Sequence, residues 1–159
     1  MLKHHGLSDT EMIGAYIFYN LIYALCAYPI GILADKIGLK KMFVAGLFIF
    51  ALTYLGMAMP HDTWMLYILF LGYGVYAAAT EGVSKAWISN VCKKEDSATA
   101  IGTYEGLRSI ATMLSSTLAG LVWFYYSPET AFMLTAVAVL IIAVFFMKVP
   151  YARVTGSKP

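Results

Sequence analysis

Five long stretches of this 159-residue chain contain no charged side chain, which leaves few possible folds. Asp, Glu, Lys and Arg are absent from residues 12–34, 42–60, 63–80, 109–128 and 130–147. A helix that crosses a bilayer needs about 20 mostly apolar residues, and the stretches are continuously apolar, unlike the alternating strands of a membrane barrel. The pattern predicts an all-α membrane protein with five transmembrane helices in a single transmembrane domain. We expect spans at about 12–34, 41–60, 63–90, 97–127 and 129–149, and a cytoplasmic tail at 150–159.

The composition excludes several classes of protein. Apolar residues make up 60% of the chain and charged residues 13%, against roughly 45–50% and 25% in soluble domains. A net charge of +2 does not favour nucleic acid as a partner, and membrane lipid is the expected surrounding. Cys26 and Cys92 make no disulfide framework, and His4, His5 and His61 lack the spacing of a helical zinc site. No nucleophile–base pair or phosphate-binding glycine loop is present, so we expect no enzyme activity, cofactor or metal.

The basic residues predict the orientation of the chain. Eight of the eleven Lys and Arg residues lie in the first connection, the third connection and the tail. The segment before the first span carries only Lys3, and the second and fourth connections carry none. Connections rich in Lys and Arg stay in the cytoplasm. We therefore expect the amino terminus outside the cell and the carboxyl terminus in the cytoplasm.

Polar and small side chains distinguish the spans. The second and fifth spans have almost none, and we expect them at the lipid-facing periphery. On the first span, Tyr16 and Asn20 share a face that must look into protein or a cavity, because an amide in hydrocarbon needs a partner. Either an interhelical hydrogen bond or a substrate contact explains Asn20. With Tyr73 and Tyr76 on the third span, these residues suggest a partly polar cavity lining.

The third and fourth spans also carry glycines at helical spacing. They include Gly72 and Gly74 on the third span and Gly102 and Gly106 on the fourth. Small residues let membrane helices approach closely. We expect these positions to pack against other helices, either as fixed contacts or as a surface that slides during a conformational change.

Four charged residues lie near the inner ends of the third and fourth spans. Glu81 and Lys85 are four residues apart, and Glu105 and Arg108 are three apart, which are the spacings of helical ion pairs. Charges near membrane depth are costly and mark a pathway, a relay or an internal pair. We expect an ion-pair network with a structural or gate-closing role. Direct coupling to substrate or proton is the alternative.

One motif is specific. Residues 31–41 read GILADKIGLKK, which resembles the loop signature of the major facilitator superfamily, G-x-L-A-D-(R/K)-x-G-(R/K)-(R/K). Leu39 departs from it, since the family usually has a basic residue there. The matching positions are Gly31, Leu33, Ala34, Asp35, Lys36, Gly38 and Lys40.

The resemblance implies a role for this loop. In the family the motif holds the cytoplasmic gate between two six-helix halves. Gly31 and Gly38 permit close helix approach and a tight turn. Asp35 is suited to cap a neighbouring helix, and Lys36 and Lys40 to bridge to acidic groups or lipid phosphates.

The resemblance also predicts what surrounds the chain. Family members have twelve helices, with substrate bound between the halves, and this chain resembles helices eight to twelve. It implies a truncated secondary transporter of an unidentified small solute in a bacterial cytoplasmic membrane. An amino-terminal half or a partner chain would then be missing, and the chain alone is not expected to transport. The alternative is a small integral membrane protein that acts through helix–helix association, as Gly102 and Gly106 suggest.

Overall fold

Helices account for nearly all of the chain that the computed structural model describes, which is residues 9–59 and 62–149. Five long helices follow one another: α1 (Asp9–Ile37), α2 (Leu39–Met57), α3 (Thr63–Val91), α4 (Ser97–Tyr125) and α5 (Pro128–Lys148). A short 3-10 helix, Lys94–Asp96, precedes α4, and neither described range contains a strand. The prediction of an all-α protein with five membrane helices is confirmed. The predicted tail, residues 150–159, lies outside the described residues. The same is true of Lys3, His4, His5 and His61.

The helices match the thickness of a membrane. All five are long and apolar enough to cross one. α1, α3 and α4 have 29 residues each, or about 43 Å at 1.5 Å per residue. Because the hydrocarbon core is about 30 Å thick, these three helices extend beyond it by roughly two turns in all. The chain is a multi-pass membrane protein whose long helices have room for charged turns outside the lipid core.

Gly38 is the entire connection between α1 and α2. Its φ of +98° and ψ of 137° lie in a region that residues with a Cβ atom avoid. Its N–H donates to the carbonyl of Ala34 at 2.9 Å, and its own carbonyl accepts from the N–H of Met42 at 3.1 Å. Gly38 therefore makes the tight turn that the motif predicts.

The bundle has two ends, because successive helices run in opposite directions. The Gly38 end carries Gly38, Cys92 and Val149, and the Asp62 end carries Asp62 and Ser127. At the Asp62 end, the Ser127 hydroxyl accepts a hydrogen bond from the N–H of Thr130 at 3.1 Å and caps α5. Pro128 follows as the first residue of that helix, a position where its missing N–H costs nothing.

α3 lies at the centre of the packing. α1 packs on α3, α3 on α2, α2 on α5 and α5 on α4, while α4 also touches α3. A Cβ atom placed on Gly46 of α2 would lie 2.8 Å from Thr80 Cγ2 and 3.0 Å from Ala79 Cβ. Gly72 and Gly74 are equally close to side chains of α2 and α1. The close packing predicted for the third span is confirmed.

The expectation that the second span lies at the lipid-facing periphery holds for one face only, where Lys41, Ala45 and Leu52 are exposed. α2 lies between α3 and α5, and seven of its residues are buried: Met42, Val44, Gly46, Phe50, Ala51, Thr53 and Met57. Apolar side chains suit a neighbouring helix as well as they suit lipid, so the absence of polar residues did not distinguish the two. α5 buries only Ala131, Ala136 and Ala143 and exposes most of its larger side chains, as expected of a peripheral helix.

α4 and α1 are the least buried helices. None of the 29 residues of α4 is buried, and a Cβ atom on Gly102 or Gly106 would meet nothing within 4 Å. The close packing predicted for these glycines is therefore not made with any described residue. In α1, only Ala15 and Ala34 are buried among the residues whose side chains the structure describes. Both helices present long faces that the rest of the described chain does not cover.

Candidate functional site

Four charged side chains meet between α3 and α4 near the Gly38 end. Arg108 Nη2 on α4 lies 3.0 Å from Glu81 Oε1 on α3. Lys85 Nζ, one turn further along α3, lies 3.2 Å from Glu105 Oε1 on α4. Arg108 Nη1 also lies 3.5 Å from Glu105 Oε2 within α4. These four residues form one network, the charged cluster, which joins the two helices.

The pairing within the charged cluster differs from the pairing that sequence spacing indicates. Glu81 and Lys85 are four residues apart on α3, yet each has its partner on α4. The spacing of Glu105 and Arg108 does correspond to a contact within one helix. Sequence spacing identifies neighbours on one helix but not the register between two helices, so the interhelical pairs were missed.

The charged cluster is half-exposed and electrically balanced. Its side chains are between 34% and 47% exposed, and two carboxylates face two cations. The pairing offsets the cost of charges near the membrane boundary. The buried Glu105 Oε1 accepts no hydrogen bond from a described residue, so its contact with Lys85 is ionic. A cavity of about 110 Å³, lined by Tyr76, Thr80, Glu81 and Arg108 among others, gives water room beside the charges.

An aromatic cluster lies next to the charges, between α2 and α3. The rings of Tyr73 and Tyr76 have centroids 5.6 Å apart, and Tyr76 lies 4.4 Å from Phe50. Tyr54 lies 6.4 Å from Tyr73, and Tyr19 of α1 lies 5.1 Å from it. Sequence reasoning missed Phe50 and Tyr54, because they are on the span assigned to lipid. Their i,i+4 spacing on α2 was the available signal.

Tyr16 and Asn20 lie at the edge of this arrangement. Tyr16 is 66% exposed, and its ring centroid is 6.2 Å from that of Tyr19. Asn20 Nδ2 donates to the backbone carbonyl of Tyr16 at 2.8 Å. Because this bond lies within α1, it satisfies one of the two amide N–H groups without the interhelical bond considered for Asn20. Tyr19 is thus the α1 residue that meets Tyr73.

The motif residues on α1 border a second cavity. A groove of about 300 Å³ between α1 and α3 is lined by Gly31 and Asp35 on one side and Gly82 on the other. A Cβ atom on Gly31 would meet nothing within 4 Å, so Gly31 makes no close helix contact with a described residue. Asp35 caps none of α2 to α5, since α5 is capped by Ser127 and the other three have no side-chain cap. Asp35 therefore does not have the capping role at any of these four helices that the motif suggested. Lys36 lies exposed in the last turn of α1.

Lys40 links the motif to the end of α5. Its Nζ donates to the backbone carbonyl of Val149, 109 positions away in the sequence. Val149 follows the last turn of α5, where free carbonyls carry partial negative charge. Lys40 thus binds a helix end, where the sequence had indicated an acidic group or a lipid phosphate. No local pattern pointed to this contact.

Within 9–59 and 62–149, no group of three or more His, Cys, Asp or Glu side chains is arranged to hold a metal ion. Cys26 and Cys92 are free thiols. The chemistry available at the site is therefore that of paired charges beside tyrosine hydroxyls.

Comparison with known proteins gives consistent matches. The model of the Major Facilitator Superfamily matches residues 1–159. An uncharacterized MFS-type transporter of Methanocaldococcus jannaschii is 33% identical over 141 residues, which cover 89% of this chain and 35% of that protein. An uncharacterized transporter of Buchnera aphidicola is 27% identical, with 85% of this chain and 34% of that protein covered.

A third relative carries a more specific name. The methyl viologen resistance protein SmvA of Salmonella typhimurium is 23% identical over 86% of this chain and 28% of its own length. The chain thus spans about a third of the length of the curated relatives that it matches. With the family model matching from the first residue to the last, the chain belongs to the major facilitator superfamily of transporters.

Proposed function

We propose that this chain forms helices eight to twelve of a twelve-helix secondary transporter, which moves a small solute across the cell membrane by alternating access. The family match over the whole chain supports this, as does the one-third share of the relatives' length. In this proposal α1 to α5 correspond to helices eight to twelve. The remaining helices come from an amino-terminal part or a separate chain. We expect no enzyme activity.

The observation that carries the proposal is the uncovered surface of α4. Its apolar side chains include Leu107, Met113 and Leu118, exposed by 65%, 61% and 64%. The same helix carries hydroxyls, such as those of Ser109 and Thr117, that bond back to their own backbone. A helix of this mixed character suits contact with protein or a solute path better than contact with lipid. It supports a second set of helices on this side of the bundle.

Photocrosslinking from two matched positions tests this assignment. Leu118 on α4 is 64% exposed and Ile141 on α5 is 65% exposed. The two positions are therefore equally accessible within this chain. A photoreactive amino acid is placed at each position, and the protein is irradiated in native membranes. We expect protein adducts from position 118 and lipid adducts from position 141.

Two results would count against the proposal. Lipid adducts alone from position 118 would mean that α4 faces the bilayer. An adduct of twice the chain's 17.5 kDa would favour the second candidate function, a small membrane protein that acts by self-association. The open surroundings of Gly102 and Gly106 motivate that candidate, since close helix pairing uses such positions.

The charged cluster is proposed to hold α3 and α4 together at the Gly38 end during the transport cycle. Two of its three ion pairs, Glu81–Arg108 and Lys85–Glu105, link packed α3 to α4, which buries no residue. Reversing all four charges, in Glu81→Arg, Lys85→Glu, Glu105→Arg and Arg108→Glu, keeps every pair of the network. If the network acts as a brace or gate, this fourfold variant regains transport that each single variant loses. If Glu81 instead couples transport to protons, the fourfold variant stays inactive.

The solute is also open to a direct test. One relative is named for methyl viologen resistance, and this dication is a reasonable first probe beside tyrosines and carboxylates. Cells that produce the complete transporter would be grown in the presence of methyl viologen, and their growth would be compared with that of cells that produce the Arg108→Gln variant. Equal growth of the two strains and of the empty host would exclude this solute.

The proposed orientation places the Gly38 end in the cytoplasm of a bacterial cell. Thiol labelling tests it in a Cys26→Ser background. The native Cys92 marks the Gly38 end, and Asp62→Cys marks the other. A maleimide that does not cross membranes is expected to label position 62 in intact cells, and Cys92 only after permeabilisation. The reverse pattern would invert the topology.

A further inference from the structure

A groove lined by residues of α2 and by Met147 of α5 lies at the Gly38 end. Its volume is about 570 Å³. Two lysines lie where the groove begins, and apolar side chains line the rest. The lining residues are Lys40, Lys41, Val44, Ala45, Phe48 and Met147.

The groove has the length of a lipid chain segment. From Lys41 to Phe48 it follows seven residues of α2, which is about 11 Å at 1.5 Å per residue. One leaflet of the hydrocarbon core is about 15 Å deep. With Lys41 at the level of the lipid headgroups, the groove would reach most of the way to the middle of the bilayer, and its apolar wall would follow the path of an acyl chain.

The two lysines at the end of the groove, Lys40 and Lys41, favour binding of an anion. Lys40 and Lys41 lie in the first turn of α2, which contains no acidic residue. Cations at a helix amino terminus are electrostatically unfavourable, so two lysines in this turn need another source of stabilisation. Lys40 donates to the carbonyl of Val149, while Lys41 and the neighbouring Lys148 have no ion-pair partner among the described residues. No acidic side chain lines the groove.

We propose that this groove binds an anionic phospholipid. The phosphate lies against Lys41 and Lys40, and one acyl chain lies along Val44, Ala45 and Phe48. Basic pockets between membrane helices at the interface bind acidic headgroups in this way. A soluble anion would leave the apolar wall exposed, whereas an acyl chain covers it and adds contact along the helix. The lipid site is independent of the transported solute, and it holds α2 and α5 together from outside the bundle.

Lipid binding to the delipidated protein tests the proposal. The protein is extracted from its native membranes in detergent, and native mass spectrometry follows binding of phosphatidylglycerol and of phosphatidylcholine with the same acyl chains. We expect phosphatidylglycerol to bind at least about fivefold more tightly, because a basic residue near the headgroup contributes about that factor. Inorganic phosphate is expected not to displace it.

Three variants separate the headgroup from the acyl chain. Lys41→Gln is expected to lower the affinity for phosphatidylglycerol about fivefold. Lys94→Gln removes an equal charge from an exposed lysine at the same end but outside the groove, and is expected to change affinity less than twofold. Ala45→Trp fills the exposed apolar part of the groove and is expected to weaken both lipids. None of the three removes the Lys40–Val149 contact, so each variant tests binding in an intact bundle.

Each opposite result overturns the proposal. Equal losses in Lys41→Gln and Lys94→Gln would mean that only the general positive charge attracts the lipid. Unchanged binding in Ala45→Trp would place the acyl chain elsewhere. Equal affinity for the two lipids, or displacement by inorganic phosphate, would remove the anionic lipid as the occupant.

Discussion

The same substitution at two glycines separates helices that are packed from helices that are not. Gly46→Ala adds a methyl group between α2 and α3, where the new Cβ would lie 2.8 Å from Thr80 Cγ2 and 3.0 Å from Ala79 Cβ. Gly102→Ala adds the same group on α4, where nothing lies within 4 Å. Both glycines are inside helices. The pair therefore differs only in its surroundings.

The expected difference follows from two terms. Replacing Gly by Ala inside a helix stabilises it by about 0.5–1 kcal/mol, and this term is common to both variants. Overpacking at Gly46 costs about 1–3 kcal/mol. Thr80 cannot turn away freely, because its hydroxyl donates to the carbonyl of Tyr76 at 2.9 Å. Ala79, which is 1% exposed, has no rotamer to change. We expect Gly46→Ala to be less stable than Gly102→Ala by about 1–3 kcal/mol.

Unfolding by SDS in mixed micelles, followed by tryptophan fluorescence, measures both free energies of unfolding. The prediction is that Gly102→Ala is at least as stable as the native chain, and that Gly46→Ala is less stable. Equal stability of the two variants would refute the tight contact between α2 and α3. A loss at Gly102 as large as that at Gly46 would show that α4 is packed even in the isolated chain.

Three further predictions concern single contacts, each read by the same unfolding measurement. A double-mutant cycle on Glu81 and Arg108 is expected to give a coupling free energy of about 1 kcal/mol, because both side chains are more than a third exposed. A coupling of zero would mean that this ion pair does not help to hold α3 and α4 together. Gly38→Ala is expected to cost about 1–3 kcal/mol for its positive φ, whereas Gly31→Ala has open space and serves as the control. Ser127→Ala is expected to cost about 1 kcal/mol by removing the cap of α5, and full stability of this variant would assign that cap no energetic role.

The membrane helices were predictable because their signal is local. A charge-free stretch of sufficient length needs no tertiary information, since lipid penalises each charge separately. The turn at Gly38 was predictable for a similar reason, because the motif identified a glycine where the chain must reverse. These features depend on a few consecutive residues.

The candidate site was only partly predictable, because its geometry depends on how helices pair. The sequence named all four residues of the charged cluster, but the partners of Glu81 and Lys85 depend on the register between α3 and α4. The lipid-facing assignment of α2 missed its packed face, because Phe50 and Leu52 are both apolar, although Phe50 is 9% exposed and Leu52 is 67% exposed. The contact of Lys40 with Val149 joins residues 109 positions apart, a distance at which local patterns carry no information.

The one-residue turn at Gly38 also limits how the protein can be made. With no spare chain between them, α1 and α2 cannot enter the bilayer one at a time with a long interval, because α2 begins as soon as α1 ends. The two must insert as a hairpin whose lysines stay on one side, and neither can later invert without the other. The choice of topology for this pair is therefore a joint one, because the lysines on both sides of the turn must remain on the same side of the membrane.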